Sequence, residues 1–228
     1  MSSKNKIVIA MDGHAGCGKS STAKALANKL DYIYIDTGAM YRAVTLYLLQ
    51  HNIPIDNQQE VEKELSNVHL SFAHNPSNGR KEIELNGMIV EEQIRTLNVS
   101  SKVSKVSSIP AVRHFLVEQQ QAMGKQKGIV MDGRDIGTVV FPDAELKIFM
   151  TASAEVRAKR RQLEMEEKGQ KVAFEDVLND LVSRDKEDSS RAESPLKKAD
   201  DAIEVDTSNC TFEEQLDKVY QLAIDAIQ

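Results

Sequence analysis

The feature that most constrains this chain is the spacing G-x-x-x-x-G-K-S at residues 13–20, which lies between an apolar run and a segment typical of a helix. The run at residues 7–11 is apolar on both faces, as in a buried parallel strand. In a strand–loop–helix unit the glycines let successive N–H groups face an anion, and the helix dipole adds to the attraction. Lys19 then reaches the outer phosphates and the Ser20 hydroxyl binds Mg²⁺. The motif predicts a nucleotide phosphate site, and a chance glycine turn is the alternative.

The residues that we expect to bind the nucleotide phosphates are consecutive in the chain. They are Gly13, His14, Ala15, Gly16, Cys17, Gly18, Lys19, Ser20 and Ser21. Because backbone amides bind the anion in such a loop, we expect the His14 side chain to point outward. Cys17 lies near a helix N-terminus, where a thiolate is favoured, so alkylation of this thiol would block nucleotide binding. Burial of the thiol against the sheet is the alternative.

Length and charge exclude several classes of protein. The 228 residues fit one domain with inserts or two small domains. The net charge of -6 argues against a general binder of nucleic acid or of anionic membranes. No apolar run approaches membrane length, and we expect no signal peptide. The two cysteines, Cys17 and Cys210, have no metal-ligand spacing, so a cytoplasmic, reduced protein is expected.

Strand-like and helix-like segments alternate along most of the chain. Strands are predicted at 7–11, 32–35, 129–131, 146–150 and 202–205, and helices at 19–30, 39–51, 110–125, 154–168, 174–188 and 212–227. This order predicts an α/β fold with a parallel sheet, right-handed crossovers and ligands beyond the carboxyl ends of the strands. Residues 68–90 alternate instead and contain Asn86-Gly87, which indicates a small antiparallel insert.

The turn after the predicted strand 129–131 carries a group of charged residues. Asp132 lies where an acid that holds Mg²⁺ follows a buried strand, although an aspartate that caps a turn is the alternative. Arg134 and Asp135 are not explained by capping, and an exposed salt bridge within the turn is the alternative for this pair.

Arginines also gather on two predicted helices. Arg157, Arg160 and Arg161 share one helical face, which indicates either a phosphate clamp or a solvated face paired to Glu164 and Glu167.

Arg184, Asp188 and Arg191 lie on one stripe of the next helix, which indicates either an anion site or an internal salt bridge. With Arg42 and Arg134 there are more arginines than one triphosphate needs, so a second phosphorylated ligand is predicted.

Three segments carry a resemblance to a known family. They are Asp-Thr-Gly-Ala-Met-Tyr-Arg at residues 36–42, Asp-Gly-Arg-Asp-Ile-Gly-Thr-Val-Val-Phe-Pro-Asp-Ala at 132–144, and Arg-Asp-Lys-Glu-Asp-Ser-Ser-Arg at 184–191. The chain resembles the bacterial cytidylate kinases, P-loop kinases of the nucleoside-monophosphate kinase superfamily. The resemblance implies a P-loop kinase core with a five-stranded parallel sheet flanked by helices. It also implies an inserted monophosphate-binding domain with a small antiparallel sheet, and a short helical lid.

The resemblance divides the chain into parts. The core is expected at 1–38, 109–153 and 171–228, the monophosphate-binding domain at 39–108 with its antiparallel insert at about 68–90, and the lid at 154–170.

The resemblance also implies roles for particular residues. Those expected to bind CMP are Thr37, Arg42, Ser104, Arg113, Arg134, Asp135, Arg184, Asp188 and Arg191. Those expected to act in catalysis are Lys19, Arg134, Arg191, Arg157 and Arg161, and those expected to hold the metal are Ser20 and Asp132. Within these sets, Ser104, Arg113 and Asp135 match the residues that read cytosine. Arg157 and Arg161 resemble lid arginines that close on ATP.

The activity implied is transfer of the γ-phosphate of ATP to CMP or dCMP, with Mg²⁺, in pyrimidine nucleotide metabolism. The expected partners are these small molecules, without a nucleic-acid polymer or a membrane, and the protein is expected to be a cytoplasmic monomer. One alternative is a P-loop kinase for another small acceptor, such as a different nucleotide or shikimate. A nucleotide-binding switch without turnover is the other. A regulatory GTPase would carry an N-K-x-D-type guanine motif, and we expect none in this chain.

Overall fold

A computed structural model describes residues 5–167 and 169–228, so the predicted helix end at Lys168 lies outside the described residues. The strands within this part are β1 (Val8–Gly13), β2 (Ile33–Asp36), β3 (Leu70–His74), β4 (Lys81–Leu85), β5 (Met88–Ile89), β6 (Ile129–Gly133), β7 (Leu146–Thr151) and β8 (Ile203–Asp206). The helices are α1 (Lys19–Leu30), α2 (Thr37–Gln50), α3 (Gln58–Glu64), α4 (Leu97–Ser100), α5 (Val103–Ser107), α6 (Pro110–Gly124), α7 (Ala154–Glu167), α8 (Phe174–Ser190) and α9 (Phe212–Ile227). None of the described helices is long and apolar enough to cross a membrane.

The chain divides into two compact units. One contains Met1–Ile35 with Met123–Gln228, and the other contains Asp36–Ala122. The first unit is built on a parallel sheet with the strand order β2-β6-β1-β7-β8, which confirms the predicted five-stranded sheet. Strand β1 is central and pairs with both β6 and β7. The loop that follows β1 therefore lies at the carboxyl edge, beside the turn that follows β6.

Apolar strand residues form the core of the first unit. Ile9, Met11 and Ile148 are fully buried in the sheet, and Leu26 of α1 and Val219 of α9 belong to the same core cluster. Burial of such a side chain contributes about 1.5–3 kcal/mol, so these contacts fix α1 and α9 against the sheet. The loop between β1 and α1 is thereby held at both of its ends.

The turn after β6 departs from ordinary helix geometry. The carbonyl oxygen of Asp135 accepts hydrogen bonds from Val139 N at 2.9 Å and Val140 N at 3.2 Å, and Ile136 O accepts one from Phe141 N at 2.7 Å. Bonds to the fifth residue along mark a single wide turn over Ile136–Val140. Such turns are often found at functional sites, and this one directly follows two predicted site residues.

The second unit contains the predicted antiparallel insert. Strands β3, β4 and β5 form a three-stranded sheet, and Leu70 pairs with Leu85 across its first two strands. Asn86 and Gly87 have positive φ values of 50° and 82° and form the predicted two-residue turn between β4 and β5.

Residues 97–107 form two short helices where the sequence indicated no regular element. Val99, Val103 and Val106 are buried at helical spacing, so a narrow apolar stripe fixes these turns despite their serine-rich composition.

Candidate active site

The loop at residues 13–20 has the backbone shape that its glycines predicted. Gly13, Gly16 and Gly18 have φ values of 148°, 78° and 85°, which side chains rarely tolerate. A Cβ atom on Gly13 would lie 2.1 Å from the carbonyl oxygen of Met150 in β7, so only glycine fits there. Helix α1 begins at Lys19 directly after this curve, and its first N–H groups face the loop. The arrangement is that of an anion site at a helix N-terminus.

Asp132 gathers three side-chain donors at the carboxyl edge of the sheet. Lys19 Nζ and Ser20 Oγ donate to its Oδ2 at 2.9 and 2.7 Å, and the Tyr34 hydroxyl donates to its Oδ1 at 2.8 Å. Burial raises the pKa of Asp132, but the charge of Lys19 and these hydrogen bonds outweigh it and hold the pKa below its usual value. Asp132 is therefore an ionised carboxylate in a buried place.

The residues predicted to hold Mg²⁺ fit such an ion. The Ser20 hydroxyl and a carboxylate oxygen of Asp132 are adjacent, and hard oxygen ligands of this kind are the ones that Mg²⁺ prefers. Sequence reasoning missed Tyr34. Its place in β2 gave no signal, because the neighbourhood of β2 and β6 arises only from the strand order.

A second charged cluster lies on α8 and at the end of β6. Arg134 Nε donates to Asp188 Oδ2 at 2.8 Å, and Arg191 NH1 lies 3.8 Å from Asp188 Oδ1. Burial lowers the pKa of Arg134, but the negative charge of Asp188 outweighs it and raises the pKa above its usual value. Helix α8 ends at Ser190 and Arg191 is its C-cap with extended torsions, so Arg184 and Asp188 lie on α8 but Arg191 lies just beyond the helix predicted to carry it. Asp188 joins α8 to the turn after β6.

Arg184 adds a further positive charge near this cluster. Burial lowers the pKa of Arg184, and the charge of Arg134 adds to the decrease. Its Nε is buried without a hydrogen-bond partner. The positive charge of Arg184 is thus desolvated and lies near a second cation, Arg134, an arrangement that favours binding of an anion.

Arg157 of α7 contacts both the loop at residues 13–20 and helix α8. It is 5% exposed, its Nε donates to Ala152 O at 2.9 Å, and its NH1 donates to Ala15 O at 3.2 Å. Its NH2 lies 2.7 Å from Asp185 Oδ2. Asp185 was missed because nothing in the sequence links α8 to the loop. In this structure Arg157 is engaged by protein groups.

His14 lies against the same aspartate. Its Nδ1 lies 3.2 Å from Asp185 Oδ1, so the expectation that this side chain points outward is wrong. Burial raises the pKa of Asp185, but His14 and Arg157 lower it by more, and the net pKa lies below its usual value.

The other two arginines of α7 lie in different surroundings. Arg160 is half-buried, and its NH2 donates to Thr207 O at 2.7 Å. The Arg161 side chain is 44% exposed, and its NH1 lies 3.1 Å from Glu164 Oε2, as the solvated-face interpretation expected for that residue. The three residues that share a face in sequence therefore have three different partners.

The second unit carries four of the residues expected at the acceptor nucleotide. Thr37 is buried at the first turn of α2, where the Asp36 side chain accepts a hydrogen bond from Ala39 N. Arg42 NH1 donates to Ser100 Oγ at 2.8 Å and to Ile94 O at 3.3 Å. The contact with Ser100 of α4 therefore fixes the orientation of the Arg42 side chain, which extends from α2.

Arg113 and Ser104 lie on neighbouring helices of the same unit. Arg113 of α6 is 2% exposed, and its NH1 donates to Ser107 O of α5 at 3.0 Å. Its guanidinium lies 5.4 Å from the centre of the Tyr41 ring. Ser104 is half-buried on α5.

The expectation that the chain has no N-K-x-D motif is wrong, because the letters occur once at residues 28–31. Asn28-Lys29-Leu30-Asp31 has the letters N-K-x-D, but it lies at the last turn of α1, where Lys29 pairs with Asp217 at 3.0 Å. A twelve-residue helix is about 18 Å long, so the match is far from the loop that begins α1. The GTPase alternative therefore gains no support from these residues.

Comparison with known proteins identifies the family. A profile described as cytidylate kinase matches residues 9–225. A curated cytidylate kinase of Cytophaga hutchinsonii is 54% identical over 219 residues, covering 96% of this chain and 94% of that protein. Cytidylate kinases of Bacteroides fragilis and Flavobacterium johnsoniae are also 54% identical, covering 97% and 98% of this chain and 99% and 98% of those proteins.

Proposed function

Because the chain belongs to the cytidylate kinase family, we propose that it transfers the γ-phosphate of ATP to CMP or dCMP, giving ADP and CDP or dCDP in pyrimidine nucleotide metabolism. The observation that carries the proposal is the meeting of Lys19, Ser20 and Asp132 beside a glycine loop, within a chain that matches the family along nearly its whole length. The loop supplies a phosphate site, and the family supplies the substrate class.

The charge of the reactants explains which residues the reaction needs. The acceptor is a phosphate with a second pKa of about 6, so it is already mostly a dianion at neutral pH and needs no general base. The obstacle is the repulsion between two polyanions and the charge of the transferring group. A site for this reaction therefore consists mainly of positive charge held in fixed positions.

Lys19 provides positive charge on the donor side. In this structure the Lys19 ammonium is paired with Asp132 at 2.9 Å, and this ion pair holds the ammonium beside the glycine loop. We expect the outer phosphates of ATP to share this ammonium with Asp132. Ser20 and Asp132 would hold Mg²⁺, which when bound neutralises phosphate charge.

Arginines provide the charge on the acceptor side. We expect Arg134 and Arg191 to bind the acceptor phosphate, because Asp188 bonds the Arg134 guanidinium and lies 3.8 Å from that of Arg191. Arg184 and Asp188 would contact the ribose. Arg42 would also contact the phosphate.

The remaining residues would recognise the bound monophosphate and its base. Thr37 would contact the bound monophosphate, and Ser104, Arg113 and Asp135 would read cytosine. A carboxylate accepts from the N4 amino group and an arginine donates to N3, so the two residue types match the edge of cytosine and oppose that of uracil.

Closure of a lid would keep water from the γ-phosphate. We assign the lid to residues 154–170, where Arg161 is exposed and paired only across one turn of its own helix with Glu164 among the contacts described. Arg161 would reach ATP on closure. Arg157 would take part by exchanging its ion pair with Asp185 for one with phosphate. We further propose a monomer that works in the cytoplasm, where both nucleotides are available.

A coupled assay of ADP release tests the proposal. The protein is incubated with Mg²⁺, ATP and each of CMP, dCMP, UMP, AMP, GMP and shikimate. Fast release with CMP or dCMP and slow release with the other acceptors is expected. Preference for another acceptor would favour the alternative kinase, and tight ATP binding without release in any mixture would favour a non-catalytic switch.

A further inference from the structure

We propose that Asp12 is a positioning residue, which holds the backbone of the Asp135 turn in the shape that presents Asp135 and Arg134 to the acceptor nucleotide. Asp12 was not among the residues expected at the site. It lies in β1 directly before Gly13, so it belongs to the strand that carries the phosphate loop. The proposal rests on the proposed acceptor, CMP.

Both carboxylate oxygens of Asp12 are used by the turn that follows β6. Oδ1 accepts from Ile136 N at 2.8 Å and Oδ2 accepts from Gly137 N at 2.7 Å. These are the two amides directly after Asp135. The side chain of Asp12 is 5% exposed, so water does not compete strongly for either bond.

The backbone of Asp135 is therefore held on both sides. Its carbonyl oxygen accepts from Val139 N and Val140 N, and the two amides that follow it are held by Asp12. The Asp135 side chain is 4% exposed, and its backbone torsions of -144° and 25° lie outside regular structure. A side chain in such a conformation depends on the bonds that hold the backbone there.

There is little room for the turn to shift. A Cβ atom on Gly137 would lie 3.4 Å from Asp12 Oδ2 and 3.2 Å from Lys147 Cδ. In the sheet, Asp12 is also the register partner of Gly133, the last residue of β6. One residue therefore connects the strand before the phosphate loop to both ends of the Gly133–Gly137 segment.

The chemistry of this position favours a functional explanation over simple packing. A buried carboxylate is costly, and here it lies near Asp135, whose like charge adds to the cost. A neutral asparagine at position 12 would offer one acceptor oxygen. Its NH₂ group would face the second amide, and two donors cannot bond to each other. Only an ionised carboxylate accepts from both amides. The free-energy cost of burying the Asp12 charge is therefore offset by the fixed backbone geometry of Asp135, which is expected to read the base.

The test compares Asp12→Asn with the wild-type enzyme. The variant keeps the shape of the side chain but loses one of the two bonds. We expect KM for CMP to rise about ten- to a hundredfold, because small displacements of a positioning group have effects of that size. KM for ATP should remain within about twofold, and the CMP:UMP ratio of kcat/KM should fall, as a shift of Asp135 requires.

A matched control is Glu145→Gln. Glu145 Oε2 accepts from Val8 N at 2.9 Å, so it too is a carboxylate that accepts from a backbone amide, but at the other end of β1 and away from the turn after β6. This variant should leave both KM values unchanged. If the two variants change the kinetics alike, or if Asp12→Asn raises KM for ATP as much as KM for CMP, the positioning role is wrong.

Two further measurements separate this inference from the proposed function. Hydrogen exchange at Ile136 and Gly137 should be faster in Asp12→Asn whatever the acceptor, and unchanged exchange would overturn the inference. If the wild-type enzyme does not phosphorylate CMP, the proposed function fails while the exchange result still stands. Should Asp12→Asn fail to fold, Gly137→Ala displaces the same turn from Asp12 and should raise KM for CMP selectively. An unchanged KM there would contradict the proposal.

Discussion

Lys19 Nζ and Asp132 Oδ2 lie 2.9 Å apart at the carboxyl edge of the sheet, and both side chains are nearly buried. The pair joins the first turn of α1 to the end of β6, residues far apart in sequence. A buried ion pair of this kind contributes little net stability, because desolvation offsets the attraction. Under the proposed function, the pair holds the Lys19 ammonium in place before the phosphates bind.

Lys19→Met should abolish transfer and leave the fold intact. Methionine fills a similar volume and Asp132 keeps its donors Ser20 and Tyr34, so the fold should persist, although the buried carboxylate loses its counter-charge and the free energy of unfolding should fall. We expect kcat to fall by at least a hundred- to thousandfold, as when one preorganised electrostatic group is removed.

The measurement is kcat with CMP, with circular dichroism to check the fold. Lys29→Met is the matched control, since Lys29 also lies on α1 but pairs with Asp217 and is 41% exposed. A Lys19 variant that turns over at near the wild-type rate would contradict the assignment of the loop.

Arg157→Ala and Arg161→Ala should differ in their effect on stability. Arg157 bonds to two carbonyls and pairs with Asp185, so its loss leaves buried groups unpaired and should lower the free energy of unfolding by roughly 2–4 kcal/mol. Arg161 is exposed and should change it by less than about 0.5 kcal/mol.

Urea denaturation measures both changes, and KM for ATP measures the proposed lid role. Arg161→Ala should raise KM for ATP without loss of stability. Equal stability of the two variants would show that the contacts of Arg157 do not support the lid region.

Much of the fold was predictable because hydrophobic periodicity and the residues that end helices or form turns are local signals in the sequence. Helices α1 and α9 begin and end at the residues that the sequence indicated, and the Asn86-Gly87 turn falls between β4 and β5 as expected. The apolar run before the glycine loop also placed β1, and the βα alternation predicted a parallel sheet, although not its strand order.

The parts that were missed depend on contacts between distant residues. The wide turn after Asp135 is fixed by Asp12, more than a hundred residues earlier, and no local pattern indicates it. Asp185 lies beside Arg157 and His14 because α7 and α8 pack on each other. Sequence spacing placed Arg184 and Asp188 on α8, but it could not show that the helix ends before Arg191 or that Arg134 is bonded to Asp188.

Cys17 should resist thiol reagents in the native protein. The sequence suggested a reactive thiolate that ATP would protect, but the side chain is fully buried within the core of the first unit. Burial in apolar surroundings makes a thiol unreactive. Cys210 is partly exposed and serves as the internal control.

With a chromogenic disulfide reagent, one thiol should react in the native state and the second only after denaturation. Mass spectrometry of the labelled peptides identifies each site. Fast labelling of native Cys17 that ATP slows would restore the original hypothesis.

The pH dependence of stability should reveal Asp12. Burial raises its pKa to about 6, the charge of Asp135 adds to the rise, and the amides of Gly137 and Ile136 oppose it. The unfolded chain has the ordinary value near 3.9, so between these values the folded state binds more protons than the unfolded one. Wild-type stability therefore falls as pH rises through this window, by about 3 kcal/mol in total, and the contribution is constant above the folded pKa.

Asp12→Asn lacks this titration and is the reference. Urea denaturation of both proteins from about pH 4 to about pH 7 should show the wild type losing stability relative to the variant as pH increases. A difference that does not change with pH would contradict the raised pKa.

Asp135→Ala should narrow the preference for cytosine over uracil. Cytosine offers a donor at N4 and an acceptor at N3, and uracil reverses both. An ionised carboxylate can only accept, so Asp135 favours the amino group of cytosine and disfavours the carbonyl oxygen of uracil. Good base contacts discriminate by roughly 1–3 kcal/mol, so kcat/KM for CMP should fall about ten- to a hundredfold more than that for UMP.

The rival explanation is that Asp135 only orients Arg134, its neighbour in the chain. Arg134 is expected to bind the acceptor phosphate, which CMP and UMP share, so this role predicts equal losses for both substrates. Asp188→Asn is the matched control, because Asp188 Oδ2 is the group that bonds Arg134 Nε at 2.8 Å. It should lower kcat/KM for both acceptors by the same factor. If Asp135→Ala gives the same pattern as Asp188→Asn, with an unchanged CMP:UMP ratio, Asp135 does not read the base.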